Sequence, residues 1–321
     1  VQHALQAADV GGRFGQRAAE LLQRGEAVQF QRIEGRILLV VLAAFVHATW
    51  NLLAKRASAV GPIFVFAYNV VACVAYLPWV AYLIAEGGIK WSWQGGGFIF
   101  LSGLIHLAYS LCLQRGYQKA DFSVVYPVAR GTGPMLSTVG AVLILGEAPT
   151  LQVFVGLIAV VIGIGLIATQ ADLAAFRKPG GQAGVSWGTA TGGLIASYTV
   201  VDAYAVKALG IAPVVLDWFS NLLRFFLLAP IVIADPARAR AAMRGYWPIA
   251  IGVGLLSPLS YILVLTALNL GAPLSVVAPM REMSMMVGAV MGMLLLREKV
   301  GPWRFFGCAV LVGGVILLTS A

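Results

Sequence analysis

The chain has 321 residues, of which 60% are hydrophobic and 11% charged, and its mean hydropathy is +0.87. Soluble domains carry about 25% charged residues, so a soluble enzyme is excluded and an integral membrane protein is indicated. The net charge of +9 does not point to nucleic acid, because the basic residues are scattered between apolar runs and form no stripe or RNA-binding signature.

Residues 1–35 are polar, begin with Val and lack the ordered regions of a secretory signal. They read as an N-terminal extension, amphipathic or disordered, and stand outside the fold argument. A bilayer core about 30 Å thick takes about 20 apolar residues per helix. Ten such runs follow, at 37–54, 62–85, 95–113, 122–145, 151–169, 186–206, 212–234, 247–267, 273–296 and 303–320. The connections, such as "LGEAPT" and "FRKPGGQAGVS", are too short for a soluble domain. Function must therefore live within the membrane. Cys73, Cys112 and Cys308 lie inside apolar runs without metal-ligand spacing. They read as packing residues, and neither a metal nor a cofactor is expected.

The chain contains an internal repeat. Residues 121–168 align with 273–319: Ser123 to Val125 fall on Ser275 to Val277 and Pro127 on Pro279. After a one-residue shift, Arg130 falls on Arg281, Glu147 on Glu298, Gly156 on Gly307 and Gly163 on Gly314. A five-helix unit is odd, so its second copy enters the membrane inverted, the plan of many secondary transporters. The expected fold is an all-α integral membrane protein, ten transmembrane helices as two inverted five-helix repeats (36–170 and 186–321) around a central cavity.

"HATWNLLAK", "SVVYPVARG", "LGEAPT" and the second-half counterparts "SVVAPMRE" and "LREKVGP" resemble the EamA-type transporters of the drug/metabolite transporter superfamily, over about residues 36–320. The resemblance implies a ten-helix carrier working by alternating access, commonly an exporter of amino acids or other small metabolites. The expected location is a bacterial inner membrane. Orientation stays open: the positive-inside count puts both termini outside, whereas the family has them in the cytoplasm.

An ionisable side chain at the bilayer centre costs about 2.5 to 3.5 kcal/mol on insertion scales, so each must face a partner or a wet cavity. His47, Trp50 and Asn51 are spaced i, i+3, i+4 and share one helical face. His106, Tyr109 and Ser110 repeat that spacing, with Gln114 continuing the face. Arg130 and Arg281 recur beyond matching prolines, where a kinked helix can expose carbonyls and an arginine offers a fork to a carboxylate. Both are also candidate counter-ions of Asp202, Asp217 or Glu282. Arg224 is expected to meet Glu282, and Asp202 to pair with Lys207 near its helix end, ahead of a role as proton acceptor. Glu147 and Glu298 complement the dipole of the helix that follows each, while Gly156, Gly163, Gly307 and Gly314 allow close helix approach or dimerisation.

The expected substrate-binding set is His47, Trp50, Asn51, His106, Tyr109, Tyr126, Arg130, Tyr198, Asp202, Asn221, Arg224, Tyr261, Arg281 and Glu282, in a cavity between runs 1, 3, 4, 6, 8 and 9. The expected partners are a small polar metabolite, anionic or zwitterionic, membrane lipid and, in one arrangement, a second copy of the chain; nucleic acid is not among them. An integral membrane enzyme acting on a lipid or isoprenoid is the alternative, weakened by the lack of a metal-holding acidic cluster in the sequence. Proton exchange, facilitated diffusion and substrate antiport all fit these side chains.

Overall fold

The computed structural model describes residues 34–57, 60–87, 91–178, 180–296 and 301–321. The chain divides into residues 1–38, described only where the first helix begins, and residues 39–321, which hold everything below. The polar extension up to residue 33, the Glu298 counterpart of Glu147 and the side chain of Gln114 lie outside the described residues.

Nine helical stretches among the described residues are long and apolar enough to cross a bilayer. They are α1 (Glu34–Lys55), α2 (Pro62–Ala85), α3 (Trp93–Lys119), α4 (Phe122–Leu145), α5 (Leu151–Thr169), α8 (Pro213–Ala234), α10 (Trp247–Asn269), the pair α11 (Leu274–Met280) and α12 (Met283–Leu296), and α13 (Pro302–Thr319). Short helices α6 (Ala174–Arg177) and α9 (Pro236–Ala242) lie in connections. The tenth long helix, α7 (Gly181–Lys207), has 27 residues but no bilayer-length stretch as apolar as those of the other nine. Its composition reflects packing against protein. A Cβ on Gly184 would lie 2.8 Å from Val124 and one on Gly188 2.7 Å from Val128, while one on Gly192 would strike Thr132. Glycine at every fourth position thus lets α7 lie directly on α4.

The ends of these helices follow local rules. The Ser92 hydroxyl accepts from the Gly95 amide at the start of α3, and Thr150 accepts from Val153 at the start of α5. Prolines open α2, α8, α10 and α13, where a missing amide proton costs nothing.

Helices α5 and α13 meet through four glycines. A Cβ on Gly156 would lie 2.9 Å from the Gly314 carbonyl oxygen, and one on Gly314 would lie 2.8 Å from that of Gly156. Gly163 and Gly307 oppose each other in the same way, at 2.9 and 3.0 Å. Because Gly156 corresponds to Gly307 and Gly163 to Gly314 in the repeat, exchanging the two halves turns one contact into the other. Such reciprocity is what a twofold axis through an interface produces.

The halves nevertheless differ. Helix α4 runs unbroken through Pro127 and Pro134, whereas the ninth apolar run, expected as one helix, breaks at Arg281 and Glu282. There the ladder tightens to i, i+3 bonds, Glu282 to Pro279 at 3.0 Å, Ser284 to Arg281 at 3.2 Å and Met285 to Glu282 at 2.9 Å.

Glu147 does not serve the helix that follows it. Its carboxylate reaches across to the start of α11 and accepts from the amides of Leu274 (2.7 Å) and Ser275 (2.9 Å), from the Ser275 hydroxyl (2.8 Å) and from Lys207 Nζ (3.0 Å). Lys207 is thus taken from its expected partner Asp202. Burial by itself raises the Glu147 carboxyl, but these hydrogen bonds outweigh it and hold the group below the ordinary carboxylate value.

Gly156→Ala should lower stability in detergent by about 1 to 3 kcal/mol, the cost of an overpacked contact. Gly165→Ala on the same helix, with nothing within 4 Å of its added Cβ, should be neutral or stabilising, and thermal unfolding of both variants reads the difference. Glu147→Ala should cost about 1.5 to 3 kcal/mol, the worth of a charged hydrogen bond. Since folding depresses the Glu147 carboxyl, the wild-type advantage is complete above the unfolded-state value of about 4.3 and is lost progressively as the pH falls from there through the lower folded-state value. Unfolding curves of the two proteins across that range check the sign.

Candidate functional site

Helices α1, α2, α3, α7, α8 and α10 and the α11–α12 break enclose a cavity of about 110 Å³. From α1 come His47 and Trp50, from α3 His106, Tyr109 and Ser110, and from α7 Tyr198; α8 adds Asp217, Asn221 and Arg224, α10 adds Ser257, Ser260 and Tyr261, and Arg281 closes the ring from the break.

One wall is aromatic. His106 stacks on Tyr198 with ring centres 4.0 Å apart, and Tyr109 and Tyr261 meet Tyr198 edge-on at 5.6 and 6.1 Å. His47 and Trp50 pack edge to face at 4.9 Å, and the Trp50 indole N–H donates to Ser260 Oγ at 3.2 Å. The i, i+3 spacing read from the sequence therefore carries both α1 side chains to the cavity. Asn51 does not join them: its amide donates to the His47 carbonyl of its own helix at 2.8 Å.

The charged groups sort into contacts. Glu282, buried, lies between two arginines, with Arg130 Nη1 donating to Oε2 at 3.2 Å and Arg281 Nε standing 3.8 Å from Oε1. Arg130 Nη2 faces His47 Nε2 at 3.3 Å. Because a guanidinium only donates, His47 must accept there, which makes it a neutral imidazole with its proton on Nδ1. On α8, Asn221 links Asp217 to Arg224: its amide donates to Asp217 Oδ2 at 2.8 Å and its oxygen accepts from Arg224 Nη2 at 2.6 Å. The i, i+4, i+7 face expected on this helix is thus one hydrogen-bonded row. Arg224 was expected on Glu282; the two other arginines occupy that carboxylate instead. Asp202 is buried behind the wall, where Tyr261 donates to its Oδ2 and His106 Nε2 lies 3.9 Å from the same oxygen.

Of the expected set, His47, Trp50, His106, Tyr109, Tyr198, Asn221, Arg224, Tyr261 and Arg281 border the cavity. Tyr126, Arg130, Asp202 and Glu282 stand behind it, Tyr126 with the Arg130 guanidinium 5.5 Å from its ring centre. Helix α4, expected on the wall, supplies no lining residue; α2 and α8 take its place. Tyr68 of α2 escaped sequence reasoning because its i±3 and i±4 neighbours are Val65, Phe64, Val71 and Ala72, so no polar face marks it.

A model of the EamA-like transporter family matches residues 35–169. The match falls on the first of the two repeats. The nine long apolar helical stretches among the described residues make the chain a multi-pass membrane protein, and over residues 35–169 its sequence is similar to that transporter family. A solved crystal structure superposes on 89% of this chain and 97% of its own with a TM-score of 0.70. At 16% sequence identity this is a likeness of fold alone.

Removing one member of a buried ion pair leaves the other uncompensated. Arg130→Ala should therefore destabilise the protein by about 3 kcal/mol, the low end for such a cut because Arg281 remains beside Glu282. Combining Arg130→Ala with Glu282→Gln should recover most of that loss, which a double-mutant cycle of the two single variants and the double variant by thermal unfolding measures.

Proposed function

We propose that the protein is a secondary carrier that moves a small anionic or zwitterionic, amino-acid-like metabolite across the membrane by alternating access. The observation that carries this reading is Arg281. Its guanidinium borders the cavity, its buried Nε has no hydrogen-bond acceptor among the described residues, and its nearest carboxylate is already held by Arg130. A planar cation in that position fits a carboxylate. Asp217 on the same wall suits the ammonium group of a zwitterion, and the aromatic side chains suit a small aliphatic body. Drug-sized ligands fill roughly 300–1,000 Å³, so a cavity of about 110 Å³ favours a ligand of few atoms.

Alternation has support in the unequal halves. Arg130 lies in an unbroken helix behind the wall, while its repeat partner Arg281 sits at a break on the wall. Carriers built from inverted repeats change sides when the halves exchange conformations, which would bring Arg130 forward as Arg281 withdraws. The family resemblance supports outward transport and a bacterial inner-membrane location.

Counterflow in proteoliposomes tests the site with labelled alanine, threonine, aspartate and lactate as probes. Arg281→Ala should abolish exchange of whichever probe the wild type exchanges, and Arg281→Lys should retain part of it, since lysine supplies the charge without the fork. Undiminished exchange in Arg281→Ala removes this arginine from the binding site.

A further inference from the structure

Three arginines and three carboxylates lie around the cavity, and among the described residues hydrogen bonds match only two pairs of them, Arg281 standing 3.8 Å from the Glu282 carboxylate that Arg130 already holds. Arg130 holds Glu282 directly, and Arg224 reaches Asp217 through Asn221. Arg281 and Asp202 remain, one on the wall without an acceptor for its Nε and the other fully buried with Oδ1 lacking a hydrogen-bond partner among the described residues.

The surroundings of Asp202 are built for a proton. His106 Nδ1 lies 2.9 Å from the Ser102 carbonyl oxygen, and a carbonyl only accepts, so Nδ1 carries a proton and Nε2 of the neutral ring is a lone pair. That lone pair faces Asp202 Oδ2 at 3.9 Å, the spacing of two acceptors rather than of a donor and an acceptor. One proton on either group turns the repulsion into a hydrogen bond. Both His106 and Tyr261, which donates to the same carboxylate oxygen, border the cavity. Asp202 is therefore one side chain removed from the cavity. Around it α3 presents His106 and Ser102, α7 itself Tyr198, α8 Arg224 and Asp217, α10 Tyr261 and the α11–α12 break Arg281. The titratable side chains of α4, Tyr126 and Arg130, are engaged with each other, with Glu282 and with His47. His47, held as an acceptor by Arg130, is not free to share the task.

We propose that Asp202 is the proton site of the transport cycle, loaded from the cavity through His106 and Tyr261. The proton adds to the carboxylate to give the neutral acid, and the charge it cancels leaves Arg281 unmatched. An anion on Arg281 restores the balance. Proton and anionic substrate therefore favour each other's binding and cross together without net charge.

This rests on the carrier reading above, but its first test needs no substrate, so the two can fail separately. Infrared difference spectra of the full-length protein in nanodiscs, recorded across a pH titration, should show a protonated-carboxyl stretch that is absent in Asp202→Asn and persists in Asp217→Asn. Its midpoint should shift in His106→Gln and in Tyr261→Phe. A band unaffected by Asp202→Asn, or one lost only with Asp217→Asn, overturns the assignment. In proteoliposomes holding a pH dye, lactate or aspartate should drive proton movement with the wild type and not with Asp202→Asn; equal proton movement in both overturns the coupling.

Discussion

A carboxylate shared by two guanidinium groups holds the site together. Glu282 has direct contact with Arg130 and stands within 4 Å of Arg281, so these three side chains carry one positive charge in excess. In a medium of low dielectric such an excess is costly unless a counter-charge lies near. The rest of the site can be read as the means of supplying one, either from Asp202 or from a ligand in the cavity. The two arginines come from matching places in the two repeats, so the trio also ties the first half of the chain to the second at its centre.

Around that trio, the same sequence unit takes two shapes. Pro127 is absorbed by a helix that continues, while Pro279 is followed by a break that brings Arg281 to the cavity. Glu147 holds the start of α11 through three hydrogen bonds and accepts a fourth from Lys207 of α7, which fixes the short segment leading to the break. By contrast, α5 and α13 pack through glycines in a reciprocal contact. The α5–α13 contact respects the symmetry of the repeat, and the helices bearing the arginines depart from it. The carrier proposed above would use both, a fixed frame and an element with two arrangements.

Helical spacing made much of the site legible. His47 with Trp50, His106 with Tyr109, and Asp217 with Asn221 and Arg224 reached the same cavity, because residues three and four apart share a face whatever the helix packs against. Partners across helices were not legible. Arg224 was expected on Glu282 and Lys207 on Asp202, yet the first turns back on its own helix and the second goes to Glu147. Asn51 shares the spacing of its neighbours but satisfies its amide on its own backbone, a choice that spacing cannot reveal.

Hydropathy and the internal repeat, both properties of the chain read linearly, determined that this is an all-helical membrane protein and which residues correspond between its halves. They also marked the glycines, since a small residue recurring at helical spacing matters only where another backbone comes close. The tertiary structure alone decided which of two equivalent arginines borders the cavity, which carboxylate each cation meets, and that α7 lays its glycine face directly on α4. Those outcomes depend on distances between segments far apart in the chain, which a linear pattern of residue types does not encode.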